Sequence, residues 1–313
     1  MSQTDLTELV ARRLREPKDE PWHATKDLFD SPSVRQFTAN TVIKWTHSKI
    51  ENGTYMMSHV QKHTSIPIPT IHRHWRCPVS RRAYIAMDYI RGDTLETAWP
   101  SLSPEQQLWI GQTLRGYVEQ LRAVPPPPGW SGAPGPFEQS NQPMPCPPMW
   151  IFSEDGAGPF NSYADMTRWF DIRRTRLLLH FYQHLKPSEE LPDIDMFDNA
   201  EPLVMSHGDL NMRNILLERD PISGQYLNKV WLIDWDFAGF YPPAFEYSFM
   251  LGVQGLPQSW VNYVPLVAGP YQRQYEYFEF LNHGFLALVR FRGPPDTDSV
   301  DDEEARAKII GWR

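Results

Sequence analysis

Residues 204–217 read VMSHGDLNMRNILL, and residues 230–239 read VWLIDWDFAG. Each stretch contains an apolar run typical of a strand, and the segment between them contains turn residues such as Gly224. Two strands joined by such a turn form an antiparallel hairpin, in which the numbers of opposed residues have a constant sum. A turn centred on Gly224 would place Asn214 opposite Asp234 at the open end of the hairpin.

Three oxygen-bearing side chains are expected to converge at this end of the hairpin, because Asp209 lies in the loop just before it. Carboxylate and amide oxygens suit Mg²⁺, which takes one or two protein groups and completes its shell with water and phosphate oxygens. Asp209 is then free to orient or deprotonate an attacking hydroxyl. Kinase catalytic loops divide the work in this way, with the Asn five residues after the Asp, as Asn214 follows Asp209.

The rest of the pattern divides the chain into a strand-rich first part and a helix-rich second part. Strands are expected over residues 41–45 and 83–90, with a helix over 53–63 between them. This division predicts two lobes joined near residues 88–92. The further expected elements are a surface helix over 5–15, an extended segment over 66–69, a helix from an N-cap at Ser103 through Leu121, a Pro/Gly-rich surface loop over 125–149 and a helix over 161–185.

The pattern H-G-D-x-x-x-x-N at residues 207–214, followed by I-D-W-D at 233–236, resembles the aminoglycoside phosphotransferase and choline-kinase-like superfamily. The phrases YIRGDTL at residues 89–95 and GFYP at 239–242 resemble those of its fungal-type members, the phosphotransferase enzyme family. The resemblance implies an α+β, protein-kinase-like fold of two lobes. A small N-terminal lobe would contain an antiparallel sheet, and a larger C-terminal lobe would be mostly helical.

The same resemblance implies the boundaries of the lobes and the chemistry of the site. Residues 1–90 would form the nucleotide-binding lobe, with a hinge at 87–92, and residues 91–313 would carry the acceptor site. The enzyme would be a small-molecule kinase that uses ATP and Mg²⁺. The roles that it implies are Asp209 as the base, Asn214 and Asp234 as holders of Mg²⁺, Lys44 as partner of the ATP phosphates, and Met87, Asp88, Tyr89 and Ile90 as the hinge that contacts adenine.

Two departures from the family pattern leave an alternative open. Residues 30–40 contain no glycine, so a glycine-rich loop over the phosphates is not expected. The helix glutamate that should pair with Lys44 falls near Gly53, and Glu51 is close to that position but out of register. The alternative is a kinase fold reused as a non-phosphorylating enzyme or as a binding scaffold. The sequence also leaves open whether Asp236 supports the site or helps to bind the metal.

Composition excludes several other classes of protein. The net charge of −8 disfavours nucleic-acid and anionic-membrane binding, which need a basic field. With two cysteines and no apolar leader segment, we expect a cytoplasmic protein. The spacing of His59 and His63 is possible for zinc, but Cys77 is the one further ligand suitably placed, so zinc is disfavoured. The aromatic residues of 260–280 are expected to form core. The sequence identifies neither the acceptor molecule nor the oligomeric state.

Overall fold

The computed structural model describes residues 34–46, 51–77, 82–137, 142–152, 155–182 and 201–292, with side chains at all of these except 46, 51–52, 178–182 and 283–292. The helix expected over residues 5–15 lies outside the described residues, as does the acidic segment 296–304.

A four-stranded antiparallel sheet forms the N-terminal lobe. Its strands are β1 (Val34–Thr38), β2 (Thr41–Thr46), β3 (Ile71–Arg76) and β4 (Ala83–Asp88), in the spatial order β1-β2-β4-β3. Strand β2 pairs with β4 along its whole length and places Lys44 opposite Ile85. The buried residues of this sheet, such as Ile43 and Ile85, lie mainly in the central strands, whereas β1 and β3 at the edges are largely half-buried or exposed. β-Branched and aromatic residues fit such a half-buried pleated surface.

Helix α1 (Glu51–His63) follows β2 in the chain and shares an apolar cluster with the second lobe, against which Ile71 and Met87 of the sheet also pack. Its buried residues Met56, Met57 and Val60 belong to the same apolar cluster as the strands of the C-terminal lobe. After α1, residues 66–69 are extended, and the carbonyl of Pro67 accepts a hydrogen bond of 3.0 Å from the N–H of Leu232. The two lobes are therefore joined by packing and backbone bonding and not by the hinge alone.

The C-terminal lobe carries two small sheets beside its helices. Strand β5 (Gly92–Thr94) pairs with β7 (Ile215–Arg219), which pairs with β8 (Tyr226–Leu232). Strand β6 (Val204–Ser206) pairs with β9 (Gly239–Tyr241). Since β4 ends at Asp88 and β5 begins at Gly92, the chain passes from one lobe to the other between them. The expected α+β, kinase-like architecture is confirmed.

The expected hairpin is present, but its register differs by one residue from the expectation. Ile215 faces Leu232, so the number sum is one lower than a turn centred on Gly224 would give. Asn214 is consequently opposite Ile233, whose N–H donates to its carbonyl at 3.0 Å. The prediction that Asn214 faces Asp234 across the ladder is wrong. Asp234 lies two residues beyond the last pair of the ladder, Ile215 with Leu232.

The helices of the C-terminal lobe surround these sheets. Helix α3 begins as expected, because the Ser103 hydroxyl accepts from the N–H of Gln106 and the Gln106 side chain accepts from the N–H of Ser103. The helices are α2 (Leu95–Ala98), α3 (Pro104–Arg122), α4 (Tyr163–Tyr182), α5 (Ala244–Leu251), α6 (Gln258–Val261), α7 (Val264–Ala268) and α8 (Gln272–Arg292), with a 3₁₀ turn at Trp99–Ser101.

Aromatic side chains fill the interior of this lobe, as expected. Trp260 and Phe278 are buried, and Phe278 lies 5.4 Å from Phe170 between ring centroids. The Pro/Gly-rich segment expected to run over the surface instead contributes to the core: Phe137 is buried, and Gly135 forms a β-bridge with Phe240. No helix among the described residues is long and apolar enough to span a membrane.

Candidate active site

A narrow cleft that opens to solvent lies between the two lobes. Apolar side chains from both lobes form its walls, the hinge forms one side, and Lys44 and Asp234 stand in its lining. The lining residues are Val34, Val42, Lys44, Pro69, Met87, Asp88, Tyr89, Ile90, Leu216, Ile233 and Asp234. A slot with apolar walls and a few polar groups is the usual form of a small-molecule site.

The hinge is fixed by hydrogen bonds to the N-terminal lobe. The N–H of Asp88 donates to the carbonyl of Thr70 at 3.1 Å, and the N–H of Tyr89 donates to the carbonyl of Asn40 at 3.0 Å. The Asp88 carboxylate accepts from the N–H of Thr70 at 2.9 Å. The β1–β2 turn therefore borders the hinge and not Lys44. Residues 30–33 of the glycine-free stretch lie outside the described residues.

Lys44 forms an ion pair with two carboxylates at once. Its Nζ lies 2.7 Å from Asp234 Oδ1 and 2.7 Å from Asp236 Oδ2, and the lysine side chain is 11% exposed. Burial lowers the pKa of Lys44, but the two carboxylates outweigh burial and raise it above its ordinary value. Burial raises the pKa of Asp234, whereas the charge and the hydrogen bond of Lys44 lower it. Together the effects of Lys44 are larger, so the pKa of Asp234 lies below its ordinary value. Lys44 and Asp234 are therefore charged together.

Asp209 is held by two amides, one on each oxygen. Asn211 Nδ2 donates to Oδ1 at 2.7 Å, and Asn214 Nδ2 donates to Oδ2 at 2.7 Å. Burial, and then the negative charge of Asp234, raise the pKa of Asp209 to about 6, although the two amides lower it. The carboxylate is thus fixed in orientation, and its affinity for a proton is greater than that of an ordinary aspartate. This is the arrangement that a general base needs.

His207 connects the loop over residues 207–214 to the strand that leads to Asp234. Its Nδ1 accepts from the N–H of Asp209 at 3.3 Å, so its Nε2 is the nitrogen that donates to the carbonyl of Ile233, at 3.0 Å. Burial lowers the pKa of His207 to about 4, so the ring is neutral. The Glu246 carboxylate accepts from the N–H of His207 at 2.6 Å. His207 therefore braces the loop and is not placed to transfer a proton.

Asp234 leaves strand β8 through a left-handed turn. Its φ of 65° is the one positive value among the non-glycine residues that the structure describes. Such a conformation costs of order 1 kcal/mol and is tolerated best by Asp and Asn. The N–H of Asp236 donates to the Asp234 carboxylate, which stabilises the turn. This turn directs the carboxylate toward Lys44.

The donor set fits Mg²⁺. Because the side-chain nitrogen of Asn214 donates to Asp209, its side-chain oxygen remains able to bind a metal, as does the Asp234 carboxylate. Within the described residues, no group of three or more His, Cys, Asp or Glu forms a cage for a metal. One carboxylate and one amide make an incomplete oxygen shell, which phosphate oxygens and water complete in Mg²⁺ sites.

The sequence over residues 34–287 matches the model of the APH family, described as the phosphotransferase enzyme family. The chain belongs to this family. The match covers the hinge, the 207–214 loop and the hairpin together.

Solved structures of aminoglycoside phosphotransferases are similar to the chain at low identity. Aminoglycoside phosphotransferase APH(4)-Ia is 14% identical, with 99% of this chain and 97% of that chain covered and a TM-score of 0.48. The GDP complex of aminoglycoside 2'-phosphotransferase-IIIa is 10% identical, with 89% and 86% covered and a TM-score of 0.46. No curated protein matches the chain. Family membership therefore rests on the sequence match over residues 34–287.

Three residues of this phosphotransferase-family site were not assigned from sequence. Asn211 holds Asp209, Asp236 holds Lys44, and Glu246 holds the backbone of the 207–214 loop. A signal existed for Glu246, because a carboxylate in the otherwise apolar segment AFEYSFML requires buried partners. The glutamate expected near Gly53 as partner of Lys44 is not present at that position, and the partners of Lys44 come instead from residues 234 and 236.

The histidines considered for zinc are used in local hydrogen bonds. His59 Nε2 lies 2.7 Å from the carbonyl of Pro125, and His63 Nδ1 lies 2.9 Å from the carbonyl of His59. These contacts account for both side chains as helix and loop stabilisers.

Proposed function

We propose that the protein is an ATP-dependent phosphotransferase that moves the γ-phosphoryl group to a hydroxyl of a small molecule. The observation that carries this proposal is the arrangement of Asp209, clamped by two amides, beside the Lys44–Asp234 pair that stands in the cleft between the lobes. A base, a phosphate-binding cation and an oxygen ligand for a metal are together in one place. Membership of the phosphotransferase enzyme family supports the same reaction class.

The cleft would hold the nucleotide with its base between the apolar walls. Val34 and Val42 of the N-terminal lobe face Ile90, Leu216 and Ile233, which pack together on the other side, and a planar base would fit between these two surfaces. Because the N–H groups of Asp88 and Tyr89 already donate to protein carbonyls, contacts to the base fall to other hinge groups. The phosphates would then extend toward Lys44, whose charge is favoured by its two carboxylates.

The chemical step assigns one role to each side chain. The hydroxyl oxygen of the acceptor bonds to the γ-phosphorus while the bond from that phosphorus to the bridging oxygen of ADP breaks. The hydroxyl proton passes to Asp209, whose pKa of about 6 leaves it ionised at neutral pH. Lys44 offsets negative charge on the phosphates, and the amides of Asn211 and Asn214 keep the base aligned. Most of the rate enhancement would come from this positioning and charge compensation.

Mg²⁺ would be held by Asp234 and by the side-chain oxygen of Asn214. When bound, it would offset the charge of the phosphates. We also propose the division at the hinge: residues 1–90 as the nucleotide-binding lobe and residues 91–313 as the lobe of the base, the metal ligands and the acceptor. β5 begins at Gly92 and pairs with β7 of the second lobe, which supports a boundary just before it.

Replacement of Asp209 tests the proposal. Candidate hydroxyl metabolites are first screened for acceptor-dependent ADP formation by the wild type, with the product identified by mass. Asp209→Ala should then lower kcat by about 100-fold or more, since a positioned base contributes about 10² to 10⁴. The affinity for Mg·AMP-PNP should change by less than about threefold, since Asp209 does not line the nucleotide cleft. Full activity in the variant would remove Asp209 from the mechanism.

The non-catalytic alternative makes a different prediction in the same assays. A binding scaffold would be stabilised by Mg·AMP-PNP in thermal unfolding, because a ligand of the native state raises its stability. It would release no ADP with any acceptor. A protein with neither stabilisation nor turnover would contradict nucleotide use altogether.

A further inference from the structure

The Lys44 ammonium lies beside two carboxylates. Asp234 and Asp236 each accept a hydrogen bond of 2.7 Å from its Nζ. Under the proposed function, on which this inference rests, Asp234 is also needed by the metal. An ammonium that depended on Asp234 alone would lose its anchor whenever the metal drew that carboxylate away. Asp236 Oδ2 remains as a second anchor.

Gly53 lies where helix α1 approaches this pair. A Cβ at residue 53 would lie 2.8 Å from Asp236 Oδ1, which is closer than side-chain carbons come to oxygen, and 3.5 Å from the Asp236 Cα. Glycine at this position makes the helix less stable than alanine would. The space that a side chain from the helix would occupy is the space that the Asp236 carboxylate fills. A side chain at residue 53 would therefore require the Asp236 carboxylate to move from the position in which it pairs with Lys44.

We propose that Asp236 is the positioning residue of Lys44, acting from the segment after strand β8 in place of a carboxylate from helix α1, and that Gly53 provides the room for it. Asp236 Oδ2 holds the ammonium, while Oδ1 faces the backbone of the helix. The consequence is that the position of Lys44 is set by the same segment that carries Asp234. Helix α1 contributes a close contact but no charge from this position.

The first experiment measures equilibrium binding of AMP-PNP to the wild type and to Asp236→Ala, with Mg²⁺ and with EDTA. Loss of a charged partner of a buried ammonium should weaken binding about tenfold or more. If Asp236 positions Lys44, the weakening appears in both conditions. If Asp236 is instead a metal ligand, it appears with Mg²⁺ and vanishes with EDTA, and the proposal is overturned. Unchanged binding in both conditions overturns it as well.

Three controls separate this inference from folding and from the proposed function. Asp236→Asn keeps the shape and removes the charge, so it should bind weakly while it still unfolds in one cooperative transition above the assay temperature. In a Lys44→Met background, Asp236→Asn should have less than about a twofold further effect, because the partner is gone. If the wild type itself fails to bind AMP-PNP, the proposed function fails, which is a different result from binding that is insensitive to Asp236.

A relocation of the carboxylate tests the role of Gly53. With Asp236→Ala, the atom 2.8 Å from the Cβ position is removed and only ordinary contacts of 3.5 Å remain. Gly53→Glu in this background can reach Lys44 from the helix, whereas Gly53→Gln has the same shape without the charge. Glu should restore binding by about fivefold or more over Gln, as expected for a charged hydrogen bond. Equal recovery by the two would show that Asp236 acts by packing alone.

Discussion

Gly208 allows the 207–214 loop to pack closely against the segment that follows Asp234. Replacing Gly208 tests how much stability depends on this close contact. Its φ of 80° lies in the left-handed region, where a side chain costs about 1–2 kcal/mol. A Cβ here would lie 2.8 Å from the carbonyl carbon of Phe237 and closer still to its oxygen. Since both partners are backbone, no flexible group can move aside. Gly208→Ala should therefore lower the free energy of unfolding by about 3 kcal/mol or more.

Gly224, in the turn of the hairpin, is the matched control for backbone strain. Its φ is 69°, and a Cβ at this position would meet nothing within 4 Å. Gly224→Ala should cost about 1 kcal/mol, which is the conformational cost without the clash. Urea unfolding of the two variants and the wild type gives the free energies, provided that the slopes agree. Equal losses at the two glycines would refute the reasoning, because they would show that the loop yields to the added methyl at no cost.

Two further predictions concern the buried carboxylate and the aromatic core. Burial raises the pKa of Glu246 from 4.5 to about 7, so its contribution to stability is complete below about pH 4.5 and is lost as the pH rises through 7, by about 3 kcal/mol at most. The melting temperature of Glu246→Gln relative to the wild type should therefore rise between pH 5 and pH 8, and a constant difference would contradict the shift. Phe278 is buried, and its ring centroid lies 5.2 Å from that of Phe245. Phe278→Ala should lower the free energy of unfolding, measured in urea, by about 3–5 kcal/mol. Phe278→Leu should cost clearly less, and a small loss for Ala would place the ring outside the core.

The sequence predicts those features that depend on local chemistry. Ser103 and Pro104 specify the start of a helix through capping, and the structure shows the complete box. The strand that carries Lys44 and the pair of apolar strands around Gly224 follow from residue type and from turn residues. In each case the deciding groups are within a few positions of one another along the chain, so a linear pattern is sufficient.

Features that depend on tertiary approach are not predictable in the same way. The partner of Lys44 is 192 positions away at Asp236, and the choice depends on how closely Gly53 of the helix comes to that segment. The sequence shows a missing glutamate but cannot show which carboxylate replaces it. The role of Asn211 is equally hard to predict, because nothing in the sequence distinguishes it from other loop residues. Only the fold of the loop brings its amide to Asp209.

The position of Asp234 outside the hairpin ladder determines the direction of its side chain. Side chains alternate between the faces of a strand, so a shift of one residue would reverse the direction of a carboxylate that belonged to the ladder. Asp234 escapes this rule because it lies past the last pair and turns through a left-handed conformation. The residue before it, Ile233, is bonded by its N–H to Asn214 and by its carbonyl to His207. The direction of Asp234 is therefore set by the 207–214 loop, and one buried imidazole positions Asp209 and Asp234 together.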